Sequence, residues 1–129
     1  RQWANDEPGR IVFIPSLGYH RYSAALRLAT AVIGNSSSGI IEAPSAGTPT
    51  VNVGERQAGR PRAASVIDVD SDVDAVVDGI ERARTLKAQA SGVGFENPYY
   101  RVGSVETIID VLMTVPTERL SSKRFVDRR

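Results

Sequence analysis

Two hydrophobic periods alternate along this chain. Short apolar runs with the period of a strand occur at Arg10–Ile14, Ala31–Gly34, Thr50–Val53 and Ser65–Val69. The first is stopped by Pro15. Between the runs the apolar residues fall at helical spacing. Tyr22, Ala25, Leu26 and Ala29 predict a helix over Tyr19–Ala31, and Ile40–Ala46 predicts a short one closed by Gly47. Pro44 then lies close to a helix start, where a missing N–H costs less than in mid-helix. Ser71 with Asp74 has the form of a capping box. It opens a helix to about Ala88 whose stripe is Val73, Val76, Val77, Ile80 and Ala83. Ser104 is placed to cap a last helix with Val105, Ile108, Ile109 and Leu112 turned inward, ended by Pro116. Trp3, in a polar opening stretch closed by Pro8-Gly9, is either a core anchor or an exposed residue.

Strands alternating with helices predict an α/β fold with a parallel sheet. The 129 residues suffice for one core, and the net charge of +1 gives no strong pull toward nucleic acid or membrane. The basic residues are nearly all arginine, which suits bidentate contacts to phosphate or carboxylate. Without cysteine, disulfides and Cys-ligated zinc are excluded. No apolar run approaches the roughly 20 residues of a bilayer span, and no signal-peptide pattern opens the chain, so a cytoplasmic location is expected. Asp68, Asp70, Asp72 and Asp74 resemble a calcium loop only superficially. Val73 and Gly79 stand where such a loop needs glycine and glutamate, so no metal or cofactor is expected.

The candidate chemistry gathers in Ala31–Arg60. An apolar strand runs into Asn35-Ser36-Ser37-Ser38-Gly39 and then into a helix start. Exposed N–H groups, hydroxyls and the helix dipole there favour an anion. Ser36, Ser37, Ser38 and Gly39 are read either as a diphosphate cradle or as an ordinary capped helix start. Asn35 is read as shaping the turn. Glu42 could accept from vicinal ribose hydroxyls or simply complement the dipole. Arg56 follows a strand end and could meet phosphate or sugar, or pair with Glu55; Arg60 and Arg62 are weaker candidates. Tyr22 is either a ring stacked on a base or a core tyrosine. His20, the single histidine, is read as a bystander.

Gly34-Asn35-Ser36-Ser37-Ser38-Gly39-Ile40-Ile41-Glu42-Ala43-Pro44-Ser45 and Gly47-Thr48-Pro49-Thr50-Val51-Asn52-Val53-Gly54-Glu55-Arg56-Gln57 resemble the nucleotide-binding segment of UDP-N-acetylglucosamine 2-epimerases, closest to the hydrolysing, sialic-acid-pathway type. Ser16-Leu17-Gly18-Tyr19 and Arg21-Tyr22 upstream, with Asn97-Pro98-Tyr99 and Gly103 downstream, extend the resemblance to about Val115. It implies that Ser36, Ser37, Ser38, Gly39, Glu42, Arg56 and Tyr22 bind UDP, with Tyr22 stacked on uracil. It also implies a Rossmann-like sheet belonging to the C-terminal domain of a GT-B-like two-domain fold.

On this reading residues 1–115 are a partial UDP-binding domain lacking its first strand–helix units, and 116–129 are a tail. In the doubly wound order 3-2-1-4-5-6 the four strands would be 3, 4, 5 and 6. Arg10–Ile14 and Ala31–Gly34 would then have open edges, expected to pair with each other or with another chain, so a homo-oligomer is expected. The implied function is UDP-N-acetylglucosamine 2-epimerisation of the hydrolysing kind, releasing UDP and N-acetylmannosamine. The acid–base groups would lie outside this chain, leaving it inactive alone. The alternatives are a non-catalytic UDP-sugar binding module or the donor-binding half of a glycosyltransferase.

Overall fold

The computed structural model describes residues 1–90 and 94–116. It divides into two compact units, Arg1–Tyr99 and the residues from Tyr100 onward. The first holds α1 (Gln2–Asp6), α2 (Gly18–Leu28), β1 (Val32–Gly34), α3 (Ser38–Ile41), β2 (Thr50–Val53), β3 (Val66–Val69) and α4 (Val73–Gln89); the second holds α5 (Ser104–Thr114).

The three strands form one parallel sheet in the order β1-β2-β3. Ile33 lies opposite Val51, and Val51 opposite Ile67. The α/β class with a parallel sheet is therefore as the sequence indicated. The order also matches strands 4, 5 and 6 of a doubly wound sheet, which are neighbours in sequence and in space.

On one face of the sheet α4 packs against Val51 and Ile67, with Ala83 completing a dry core and Val53, Val69, Ile80 and Leu86 around it. Gly79 allows this approach. A Cβ there would stand 2.9 Å from methyl carbons of both Val51 and Val69. The stripe expected on α4 is corrected in part, since Val73 and Val77 face solvent while Gly79 and Ala83 are buried. A helix this close to a sheet meets it through its smallest residues, and the valines lie off that line. The helix is capped by Asp72, whose Oδ1 accepts from the Ala75 N–H at 2.9 Å, and not by Ser71.

The run Arg10–Ile14 forms no strand. Ile11, Val12, Phe13 and Ile14 are exposed, and β1 pairs with β2 alone among the described residues. A strand needs a neighbour to satisfy its backbone, and among the described residues none pairs with this run. Trp3, on α1, is likewise exposed.

The short helix also differs from expectation. It starts at Ser38 and stops at Ile41, with Glu42 as its C-cap. Pro44 explains the stop: its ring would clash with the Ile40 carbonyl, and it has no N–H to continue the ladder. The chain continues in turns, with Thr48 N–H returning to the Ala43 carbonyl at 3.0 Å.

The helix α2 is held at its C-terminus from outside. Thr48 Oγ1 donates to the Leu26 carbonyl at 2.5 Å, and Lys87 Nζ donates to the carbonyls of Gly47 at 2.9 Å and Arg27 at 3.3 Å. The Leu26 and Arg27 carbonyls are among those a helix end leaves without an internal partner. In the second unit Gly103, in the left-handed region, is the N-cap of α5, and Ser104 Oγ donates to the Arg101 carbonyl. Val105, Ile108, Ile109 and Leu112 are exposed, contrary to the inward stripe expected.

Candidate functional site

On the face of the sheet opposite α4, strand β2 is polar, although Val32 and Val66 flank Thr50 there. Thr50 and Asn52 alternate with Val51 and Val53 along β2, so their side chains point away from the dry core. Thr50 Oγ1 donates to the Gly39 carbonyl at 2.7 Å and anchors α3 to the strand. Gly39 is needed there, because a Cβ would stand 2.6 Å from Thr50 Cγ2. Asn52 Nδ2 donates to Asp68 Oδ1 at 2.6 Å.

At the carboxyl end of β1 the chain turns through Asn35, whose carbonyl is the pivot of the site. It accepts from Arg56 Nη1 at 2.8 Å and from Gln57 Nε2 at 2.8 Å. The loop after β2 is thus tied to the serine turn after β1, and Arg56 is held beside Ser36–Gly39 instead of pairing with Glu55. Gln57 is buried, and its Oε1 has no partner among the described residues. Arg62 is drawn off in another direction. It forms an ion pair with Asp68 at 2.9 Å and donates to the Gln57 carbonyl.

Ser37 occupies the N-cap of α3, but its side chain makes no capping bond. Ser38 is committed to neighbours. Its Oγ donates to Glu42 Oε2 at 2.5 Å and lies 2.5 Å from the Tyr22 hydroxyl. Glu42, at the end of α3 rather than one turn inside it, keeps its other carboxylate oxygen without a partner among the described residues. Asn97 fixes the back of this turn. Its Nδ2 donates to the Ile41 carbonyl at 2.8 Å and to Ser45 Oγ at 2.7 Å.

A cleft of about 240 Å3 opens between α2 and this turn, lined by Tyr19, Tyr22, Ile41, Glu42 and Ser45 among others. Tyr19 is the residue that the candidate set omitted. It is one of the most exposed aromatics, at 77%, whereas Tyr22 is half-buried with its hydroxyl engaged. Its position at the start of α2, three residues before Tyr22, does not by itself distinguish an exposed ring from a packed one. A larger hollow of about 410 Å3 lies beside β3, but its arginines Arg62 and Arg82 are paired with Asp68 and Asp78, and Glu55 and Asp70 add further negative charge, so it is a poor anion site. Tyr19 also meets His20 edge-on at 5.5 Å. Among the described residues no group of three or more His, Asp or Glu side chains could hold a metal, and no helix is long and apolar enough to cross a membrane.

The chain is 36% identical over 100 residues to polysialic acid biosynthesis protein P7 of Escherichia coli, covering 78% of this chain and 26% of that protein. It is 32% identical over 119 residues to a UDP-N-acetylglucosamine 2-epimerase of Neisseria meningitidis, covering 92% of this chain and 31% of the relative. A GDP/UDP-N,N'-diacetylbacillosamine 2-epimerase (hydrolyzing) of Campylobacter jejuni is 43% identical over 67 residues, which is 51% of this chain and 17% of that one. The chain therefore spans less than a third of the length of these curated relatives. The family model described as UDP-N-acetylglucosamine 2-epimerase matches residues 2–113, and the chain belongs to that family.

Proposed function

We propose that this chain is the nucleotide-binding part of a hydrolysing UDP-N-acetylglucosamine 2-epimerase. The carrying observation is the junction at Asn35. One carbonyl ties Arg56 and Gln57 to a serine turn whose next residues lead into the Tyr22–Ser38–Glu42 contacts. Family membership and the hydrolysing relative from Campylobacter support the same reading. The Ser36 and Ser37 hydroxyls donate to the diphosphate within the turn Ser36, Ser37, Ser38 and Gly39, Arg56 neutralises it, and Glu42 takes the ribose hydroxyls while the Ser38 hydroxyl stays engaged with Glu42 and Tyr22. The aromatic pair Tyr19 and Tyr22 walls the base, with Tyr19 as the exposed ring.

In the reaction this implies, a base removes the proton at sugar C2 while UDP leaves from C1, and water adds to the resulting glycal to release N-acetylmannosamine. Within this chain Arg56 and the serine turn stabilise charge that grows on the departing UDP, and Glu42 holds the nucleotide in register. The acid–base groups come from the remainder of a two-domain GT-B-like protein, of which residues 1–115 supply part of one domain; the tail assigned to 116–129 lies, but for residue 116, outside the described residues. We place it in the cytoplasm, in amino-sugar biosynthesis, and as a homo-oligomer.

The test is twofold. Calorimetric titration of UDP should show binding at one site, weakened by Arg56→Ala. The chain incubated alone with UDP-N-acetylglucosamine should release no UDP, whereas a polypeptide that includes the remaining domain should release UDP and N-acetylmannosamine. UDP release by the chain alone would overturn the division of labour. A product formed only with a sugar acceptor would instead mark a glycosyltransferase.

A further inference from the structure

Three side chains from two helices form one connected line: Tyr22 on α2, Ser38 at the start of α3 and Glu42 at its end. Both links measure 2.5 Å. Counting protons gives the line a direction. An ionised carboxylate only accepts, so the single Ser38 hydroxyl proton goes to Glu42 Oε2. Ser38 Oγ then has only lone pairs left for Tyr22, and the Tyr22 hydroxyl is the donor. The result is Tyr22 O–H to Ser38 O–H to Glu42.

From this geometry we infer that Tyr22 is a positioning residue for Glu42, acting through Ser38 and its own hydroxyl, a role separate from that of its ring beside the base. The inference rests on the proposed UDP site and concerns how that site tells a ribose from a deoxygenated sugar. Glu42 is exposed and sits at the C-cap of a helix only four residues long, so the backbone alone leaves its rotamer free. Ser38 engages Oε2, which leaves Oε1 of this cleft-lining residue as the acceptor for a vicinal diol. Ser38 itself could rotate to serve another acceptor, and the Tyr22 hydroxyl prevents this by occupying its lone pair. Hydrogen bonds in such a series polarise one another, so each link strengthens the next. Tyr22 is half-buried between α2 and α3 and is carried on an eleven-residue helix whose far end Thr48 and Lys87 hold in place. It is the rigid end of the line, and Glu42 is the end that meets ligand.

The experiment is calorimetric titration of UDP and of 2′,3′-dideoxy-UDP into the full chain, its Tyr22→Phe, Glu42→Gln and Ser38→Thr variants, and the double variant Tyr22→Phe/Glu42→Gln. Tyr22→Phe keeps the ring and removes only the donor, so it should weaken UDP by about 3- to 10-fold and leave dideoxy-UDP unchanged. In the Glu42→Gln background the same change should have no further effect, the signature of residues acting in series. Ser38→Thr keeps the bridging hydroxyl and should preserve most of the preference for UDP. Equal weakening of both ligands by Tyr22→Phe, or full additivity in the double variant, would overturn the inference and leave the UDP site standing. The same holds if Tyr22→Phe has no effect on UDP. Failure of the unsubstituted chain to bind UDP would overturn the proposed site, and the inference with it. Circular dichroism melting of each variant identifies any that fails to fold, and the Ser38→Thr comparison then decides alone: loss of the UDP preference there counts against the relay.

Discussion

Strand β2 has two neighbourhoods that differ in almost every physical respect. Toward α4 it presents Val51 to a dry cluster with Ile67 and Ala83, where Gly79 lets the helix come close. Toward α3 it presents Thr50 and Asn52 to hydrogen-bond partners, and buried oxygens of Asn52 and Gln57 lack partners among the described residues. An unpartnered buried oxygen is costly, at about 1–3 kcal/mol. Toward α4 the contact is apolar throughout, whereas the α3 side combines the buried side chains of Ile40 and Ala43 with a polar arrangement whose unpartnered oxygens offset part of their gain. The division follows from the period of a strand, which sends neighbouring residues to opposite faces.

The sharpest test of this division is to damage the dry face only. Ile67→Ala removes a buried side chain opposite Val51 and should destabilise by about 2–5 kcal/mol, read from the denaturant midpoint. The folded molecules should still bind UDP with unchanged affinity. A loss of affinity in step with stability would show that the two faces are not separable.

The converse is Glu42→Gln. It keeps the shape and removes the charge, so UDP binding should fall by about 1.5–3 kcal/mol, roughly 10- to 150-fold, with the melting temperature nearly unchanged. Binding of 2′,3′-dideoxy-UDP should be hardly affected. Equal losses for both nucleotides would reduce Glu42 to a support for the helix end.

Gly39→Ala strikes both properties together. The new Cβ would stand 2.6 Å from Thr50 Cγ2, so α3 must shift from β2 at a cost of about 1–3 kcal/mol. Because Ser38 and Glu42 ride on α3, UDP affinity should fall as well. Gly79→Ala meets similar crowding on the dry face and should cost stability alone. If Gly39→Ala changed only stability, the serine turn would not be the nucleotide site.

What the sequence made legible was local. The strands at Thr50–Val53 and near Ser65–Val69, the long helix after Asp72 and the turn at Asn35–Gly39 each carry their signal within a few residues. The failures involve partners remote in the chain. Arg10–Ile14 has strand composition, but a strand forms only against a neighbour, and none among the described residues pairs with it. The stripe on α5 has helical spacing, yet spacing does not say what will cover it. Val73 and Val77 look like core because period alone cannot reveal that Gly79 sets the line of contact. In the site, the cluster of serines marked the place, while the pairing of Tyr22 with Ser38 across sixteen positions and the clamp of Arg56 and Gln57 on Asn35 are tertiary facts. Tyr19 was missed because an aromatic at a helix start has the same local signal whether it is exposed or packed.

The smallest expected effects come from two helix N-caps that look alike in sequence and differ in use. Asp72 caps α4 in fact, its Oδ1 accepting from the Ala75 N–H at 2.9 Å. Asp72→Ala should cost about 1 kcal/mol of stability and leave UDP binding alone. Ser37 holds the corresponding position on α3, yet its hydroxyl caps nothing. Its removal therefore takes no bond from the folded chain, and Ser37→Ala should melt with the unsubstituted protein. If the hydroxyl instead serves the diphosphate, its loss should weaken UDP by about 0.5–1.5 kcal/mol, roughly 2- to 12-fold. The loss should be the same for 2′,3′-dideoxy-UDP, which keeps both phosphates, and this separates Ser37 from Glu42. A Ser37→Ala protein that is less stable but binds both nucleotides normally would mean that the serine shapes the turn, and the diphosphate cradle would then have to rest on its neighbours.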